Sequence, residues 1–225
     1  MATGVRFALV FSLSAAVVCL APAARAAERD REVERRTFMA RIALGTSIIG
    51  GQKLYGTGSR GRWSAVAPAM EIDVQRIFTH RLGVEVGLVL FPPAQDTRDV
   101  AYGRLQGALD AVLVDWGGRH AGSLIAGIGG GFDAGRWWFE DARGYGLATL
   151  KGRVWLTRDV NVQAMASVAP FGAKYSGWEQ RYELGFAWKL LAFGVRFAWL
   201  EVRAGDPARW LPQHEVGMFV GVGVF

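Results

Sequence analysis

Between positions 181 and 190 the chain alternates without a break. Tyr182, Leu184, Phe186, Trp188 and Leu190 hold one parity, and Arg181, Glu183, Gly185, Ala187 and Lys189 hold the other. Side chains of a strand point alternately to opposite faces, so this pattern predicts a ribbon with one apolar face and one charged face. Similar segments lie at about 37–50, 65–78, 83–91, 100–114, 123–134, 144–156, 160–171, 195–203 and 214–225. In the first, Phe38, Ala40, Ile42 and Leu44 oppose Arg41, Ala43 and Gly45. In the fourth, Leu105 and Leu109 oppose Arg104, Gln106 and Asp110. The segment at 123–134 is rich in glycine and its parity is ambiguous. The expectation is an all-β, antiparallel, up-and-down transmembrane barrel of ten strands. Eight strands is the alternative if the fifth and a neighbouring segment are misread.

The connections support an even count. Short ones fall at 79–82, 116–120, 157–159 and 192–194, and longer ones at 52–64, 92–99, 135–143, 172–179 and 204–213. Short turns at one end and longer loops at the other are the habit of membrane barrels, whose strands each cross with only ~10 half-polar residues. No stretch after residue 27 is apolar for long enough to form a spanning helix.

The start of the chain reads as an export signal. Arg6 precedes an apolar run from Phe7 to Leu20, and Ala24-Arg25-Ala26 supplies a small-x-small cleavage pattern. The run is shorter than the ~20 residues a spanning helix needs, so residues 1–26 are expected to be a removable signal peptide. Residues 27–36 are charged and aperiodic and read as a periplasmic leader, leaving 37–225 as the barrel. Cys19, the only cysteine, falls within the signal. Formal charge is +6, about +4 without Arg6 and Arg25, and Lys and Arg are scattered. That scatter argues against a nucleic-acid partner.

A soluble barrel also alternates, with its apolar face inside. Here the charged parity is mixed with small residues, among them Ala65, Ala67, Ala69, Gly87, Gly185 and Gly217. Small residues beside charges suit a narrow polar lumen, and large aliphatics suit a lipid-facing band. The last segment closes on Phe225, with Phe219 in the same parity, although Gly217, Gly221 and Gly223 break the apolar run. This ending resembles the C-terminal signature of bacterial outer-membrane barrels, and the resemblance implies recognition by the barrel-assembly machinery. Over most of its mature length the chain resembles the small OmpA/OmpX-like barrel proteins. That resemblance is one of pattern and implies an outer-membrane location without any catalytic motif.

On the charged parity stand Glu71, Asp73, Glu85, Asp110, Glu183 and Glu215, and against them Arg41, Arg104, Lys151, Arg153, Lys189 and Arg196. Isolated charges buried away from water cost many kcal/mol. The balance predicts a paired network that plugs the lumen, and a structural or surface-interaction role. A small-solute pore is the rival reading. In the third long loop Arg136, Trp137, Trp138 and Arg143 place aromatics beside cations. They are candidates for contact with membrane lipid and lipopolysaccharide.

Catalytic chemistry is thin. A rim-located hydrolase is the second rival: His214, with Glu215 beside it and Asp206 in the preceding loop, is what an omptin-like protease would use, and a lipid A-modifying enzyme would want a His-Ser-Glu set near the outer leaflet. His120 and Ser123 lie together, but at the short-turn end. Gly127 to Phe132 lacks the last glycine of a dinucleotide fingerprint and sits in a strand pattern. No metal-ligand spacing occurs, and no cofactor is expected.

Overall fold

The computed structural model describes residues 38–54, 60–78, 81–92, 101–116, 122–136, 142–157, 159–171, 176–204 and 209–224. The expected signal, the leader, Phe225 and most loop positions lie outside them. Ten strands follow one another: β1 (Phe38–Leu54), β2 (Arg60–Ile77), β3 (Leu82–Phe91), β4 (Ala101–Trp116), β5 (Gly122–Arg136), β6 (Arg143–Thr157), β7 (Val160–Phe171), β8 (Ser176–Trp188), β9 (Leu191–Ala204) and β10 (Arg209–Val224). Each pairs antiparallel with its neighbour in sequence. β1 closes on β10 from Ala40↔Val224 to Gly51↔Gln213. The ring is complete, so no strand edge is left unpaired.

Several strands run further than their alternation suggests. β2 and β8 begin five residues earlier than expected, and β10 begins at Arg209. Part of the expected long connections at 52–64, 172–179 and 204–213 is therefore strand, and the contrast between long and short ends is smaller than the pattern implied. The largest correction is the β8–β9 hairpin. Its turn is Lys189-Leu190, with Trp188 paired to Leu191, and Lys189 has φ 53°. The segment 192–194, expected to be a turn, is strand, with Phe193 opposite Phe186 and Gly194 opposite Gly185. Two-residue hairpin turns usually announce themselves with Asn-Gly or Asp-Gly. Here a lysine takes the left-handed position, and the alternation runs on through Leu190 into the turn.

The barrel is inside-out relative to a soluble one. Outward positions such as Ile42, Leu44, Leu109, Ile128, Val195 and Met218 are exposed, while Arg41, Glu71, Arg104, Asp110, Glu183 and Arg196 are buried in the lumen. Trp178 and Trp188 share the outward parity of β8, ten positions apart. At ~3.3 Å per residue and a tilt of roughly 40°, that separation spans about 25 Å, the height of the apolar band of membrane barrels. Among the described residues no helix is long and apolar enough to cross a membrane.

Candidate functional site

In the lumen this fold gathers charged side chains, and register builds them in tiers. Near the short-turn end its side chains are apolar. Met39, Trp155, Ala187 and Ala192 form one cluster, and Ile77, Val112 and Ile125 another. Toward the long-loop end lie Ile49, Ala67, Ala69, Val89 and Phe91, and across from them Leu147, Phe171, Leu200 and Val202. Charged groups occupy the middle and interleave with the upper apolar tier. The parity argument anticipates a polar lumen throughout, and the apolar tiers correct it. Ile49 and Ile125 have no exposed surface at all.

The lower charged group joins two guanidinium groups to four carboxylates. Arg41 donates to Asp73 at 2.6 Å, to Glu183 at 2.9 Å and to Glu71 at 3.5 Å. Arg196 pairs closely with Glu71 and lies 3.5 Å from Glu183 and 3.6 Å from Glu215. Ser47 Oγ donates to Glu215 at 2.9 Å. Beside it, Lys151 pairs with Glu85 and stands 3.2 Å from Asp110. Gln75 donates to Asp110 at 2.5 Å and accepts from Arg153. Gly127 makes room here, because a Cβ there would run into Asp110 and Thr149.

In the upper group Arg104 stands in the lumen as expected, with two carboxylates, Asp133 and Glu179, that the pattern does not single out. Arg104 holds Asp133 at 2.8 Å and Glu179 through both terminal nitrogens at 2.6 Å. Arg143 donates to Asp133 at 2.7 Å, and Arg181 lies 3.2 Å from Glu179. Asp133 escapes the sequence reading because glycines blur the parity of β5, yet it sits directly opposite Arg104 in the register. Glu179 shares the parity of Arg181 and Glu183 and becomes legible once β8 is extended upward.

Two candidate residues move. Lys189 is not in the lumen. It is an exposed turn residue whose ammonium lies 5.8 Å from the Trp188 ring. Arg143 is not in a surface loop. It opens β6 and points inward, onto Asp133 and the Phe171 ring. Arg136 ends β5, and Trp137 and Trp138 lie outside the described residues. The pair His214 and Glu215 is split by the strand. Glu215 is fully buried in the lumen, whereas His214 faces outward opposite Trp199. Asp206 and His120 lie outside the described residues, and Ser123 is buried inside the barrel.

Three lumen aromatics are clamped in the same way. Phe219 lies over Gly194 on the adjacent strand and under Arg41, whose guanidinium carbon is 4.3 Å from the ring centre. Tyr145 sits between Gly131 and Arg104, and Phe171 between Gly177 and Arg143. The glycine lets the ring lie flat on the neighbouring strand, and the ring then orients the arginine that organises the ion pairs. A Cβ at Gly194 would stand 2.6 Å from Phe219 Cε1. Gly194→Ala is therefore expected to cost about 1–3 kcal/mol by overpacking. Combining it with Phe219→Leu should cost less than the sum of the two single changes, measured by urea unfolding in lipid vesicles.

Between the charged groups remains a cavity of about 50 Å³, bordered by Arg41, Glu71, Lys151, Arg181 and Glu183. It has room for a few water molecules, at ~10–15 Å³ each, and for no larger solute. Among the described residues no group of His, Cys, Asp and Glu is arranged to hold a metal ion.

No protein-family model matches the chain, and no curated protein matches it. Among solved structures it is similar to the outer-membrane protease OmpT of Escherichia coli, with TM-score 0.45 and 8% identity over 87% of this chain and 99% of that one. It is also similar to the translocator domain of the autotransporter NalP of Neisseria meningitidis, with TM-score 0.41 and 12% identity over 94% and 97%. The attachment invasion locus protein Ail of Yersinia pestis gives TM-score 0.35 and 8% identity over 84% and 100%. These likenesses transfer no residue role to this chain.

Proposed function

We propose that this chain is a bacterial outer-membrane barrel with a sealed lumen, serving a structural or surface-interaction role. The carrying observation is the tiering. A belt of buried ion pairs lies between apolar side chains at the short-turn end and a mixed apolar and ionic layer at the long-loop end. Ten strands enclose a much narrower interior than the 16–18 strands that leave an aqueous channel. In this reading the short turns face the periplasm and the long loops face outward.

The test is electrical. The purified barrel, inserted in a planar bilayer, should give no stable single-channel current of porin size. Such currents from the unmutated protein would overturn the sealed-lumen reading and favour a small-solute pore.

A further inference from the structure

The outer wall of the barrel is chemically lopsided. From Leu82 to Leu90 on β3, Gly103 to Ala111 on β4, Leu124 to Ala134 on β5, Gly144 to Leu156 on β6 and Val160 to Pro170 on β7, every residue on the lipid-facing parity is apolar or glycine. On β8 to β10 the same face carries half-buried Glu201 and His214 beneath the rim, with Gln180 and Tyr182 on the same parity but buried among their neighbours. Trp178 and Trp199 both donate their indole N–H to Glu201, at 2.8 and 3.2 Å. Tyr182 donates to Gln180 at 3.0 Å and stacks on Phe197, with ring centres 6.2 Å apart.

These groups are ordered by depth. Exposed Arg203 stands highest, on the outward face of β9. One outward position lower lies the Trp178–Glu201 pair, and one lower again Gln180 and His214 flank Trp199. Then come Tyr182 and Phe197, and below them only Leu184, Val195, Phe186 and Phe193. Each outward step is about 5 Å along the membrane normal. With Trp178 at the interface, His214 sits at the depth where acyl chains join their headgroup. Polar side chains facing plain hydrocarbon are costly, and purely apolar neighbours were available to five other strands.

We propose that the β8–β10 wall binds one molecule of an acylated sugar phosphate of the outer leaflet. Arg203 meets a phosphate, and the indoles and Glu201 meet the sugar. His214 hydrogen-bonds an acyl linkage, and the acyl chains run down the apolar wall beneath. The sequence of groups down the wall matches the sequence of groups in such a lipid. A phospholipid offers the phosphate and esters without the sugar. A second copy of the chain would need no such ordering. The proposal rests on the membrane reading above.

The experiment is native mass spectrometry of the folded barrel released from detergent, titrated with purified lipid A or with phosphatidylethanolamine. One lipid A should stay bound, in preference to phosphatidylethanolamine. The double variant Arg203→Ala/His214→Leu should lower retention about tenfold, as expected for losing hydrogen bonds to a polar head. Leu109→Ala, on the opposite wall, should leave it unchanged. Equal retention of both lipids, no loss in the double variant, or a dimer that the double variant abolishes would each overturn the proposal. All three would leave the barrel's membrane insertion, which rests on its folding in lipid, untouched.

Discussion

Arg196→Ala is expected to be the most damaging single change in the lumen, costing about 3–5 kcal/mol, the range for breaking a buried pair from one side. Arg196 is 4% exposed and touches Glu71, Glu183 and Glu215. Without it Arg41 is left as the guanidinium bridging that group of four carboxylates, and Arg41 does not reach Glu215. If charge and not packing sets the cost, adding Glu71→Gln to Arg196→Ala should recover part of it. Arg203→Ala, at an exposed outward position, should change stability by no more than about 0.5 kcal/mol. Urea unfolding in phospholipid vesicles, followed by tryptophan fluorescence, reads all three. A cost for Arg196→Ala no larger than that for Arg203→Ala would contradict the network.

Leu184→Arg is expected to cost about 2–4 kcal/mol, the penalty for an arginine on the lipid face near the bilayer midplane. Leu184 lies outward on β8, between the two tryptophans that mark the band. The strand pattern alone places Phe186 mid-strand. β8 starts at Ser176 and ends at Trp188, so the middle of the strand lies higher than the pattern alone puts it. Phe186 is one outward position from Trp188, so Phe186→Arg should cost less, approaching the 0–1 kcal/mol typical of the interface. The same vesicle titration ranks the two. A larger penalty at Phe186 would mean that the band is centred lower than the tryptophans indicate.

The architecture was legible because period-two alternation survives in nearly every strand. Leu184 and Phe186 face out while Glu183 and Gly185 face in, as the pattern requires. Closure into ten strands follows from the same pattern. What the sequence hid has physical causes. Glycine carries no polarity, so β5 could not be assigned a face, and Asp133 went unnoticed although Arg104 lies opposite. A lysine in the left-handed position of a tight turn gives no turn signal, so Lys189 was assigned to the lumen. Alternation also cannot say which inward positions are apolar by design. Leu147, Leu200 and Val202 pack against one another across the lumen, and that depends on register between distant strands. The lopsided outer wall was invisible for a similar reason. Gln180, Glu201 and His214 become neighbours only once β8, β9 and β10 are aligned.

The account stands on an apolar exterior that contacts lipid and a charged interior that does not. Photolabelling of the unmutated, folded protein in vesicles with a carbene reagent dissolved in the bilayer tests this residue by residue, with mass spectrometry to locate the label. Leu184, Phe186, Leu109, Ile128 and Met218 should be labelled, and Arg41, Glu71, Glu183 and Arg196 should not. Label concentrated on the second set, or folded protein that stays in water without detergent and takes up no label, would contradict it.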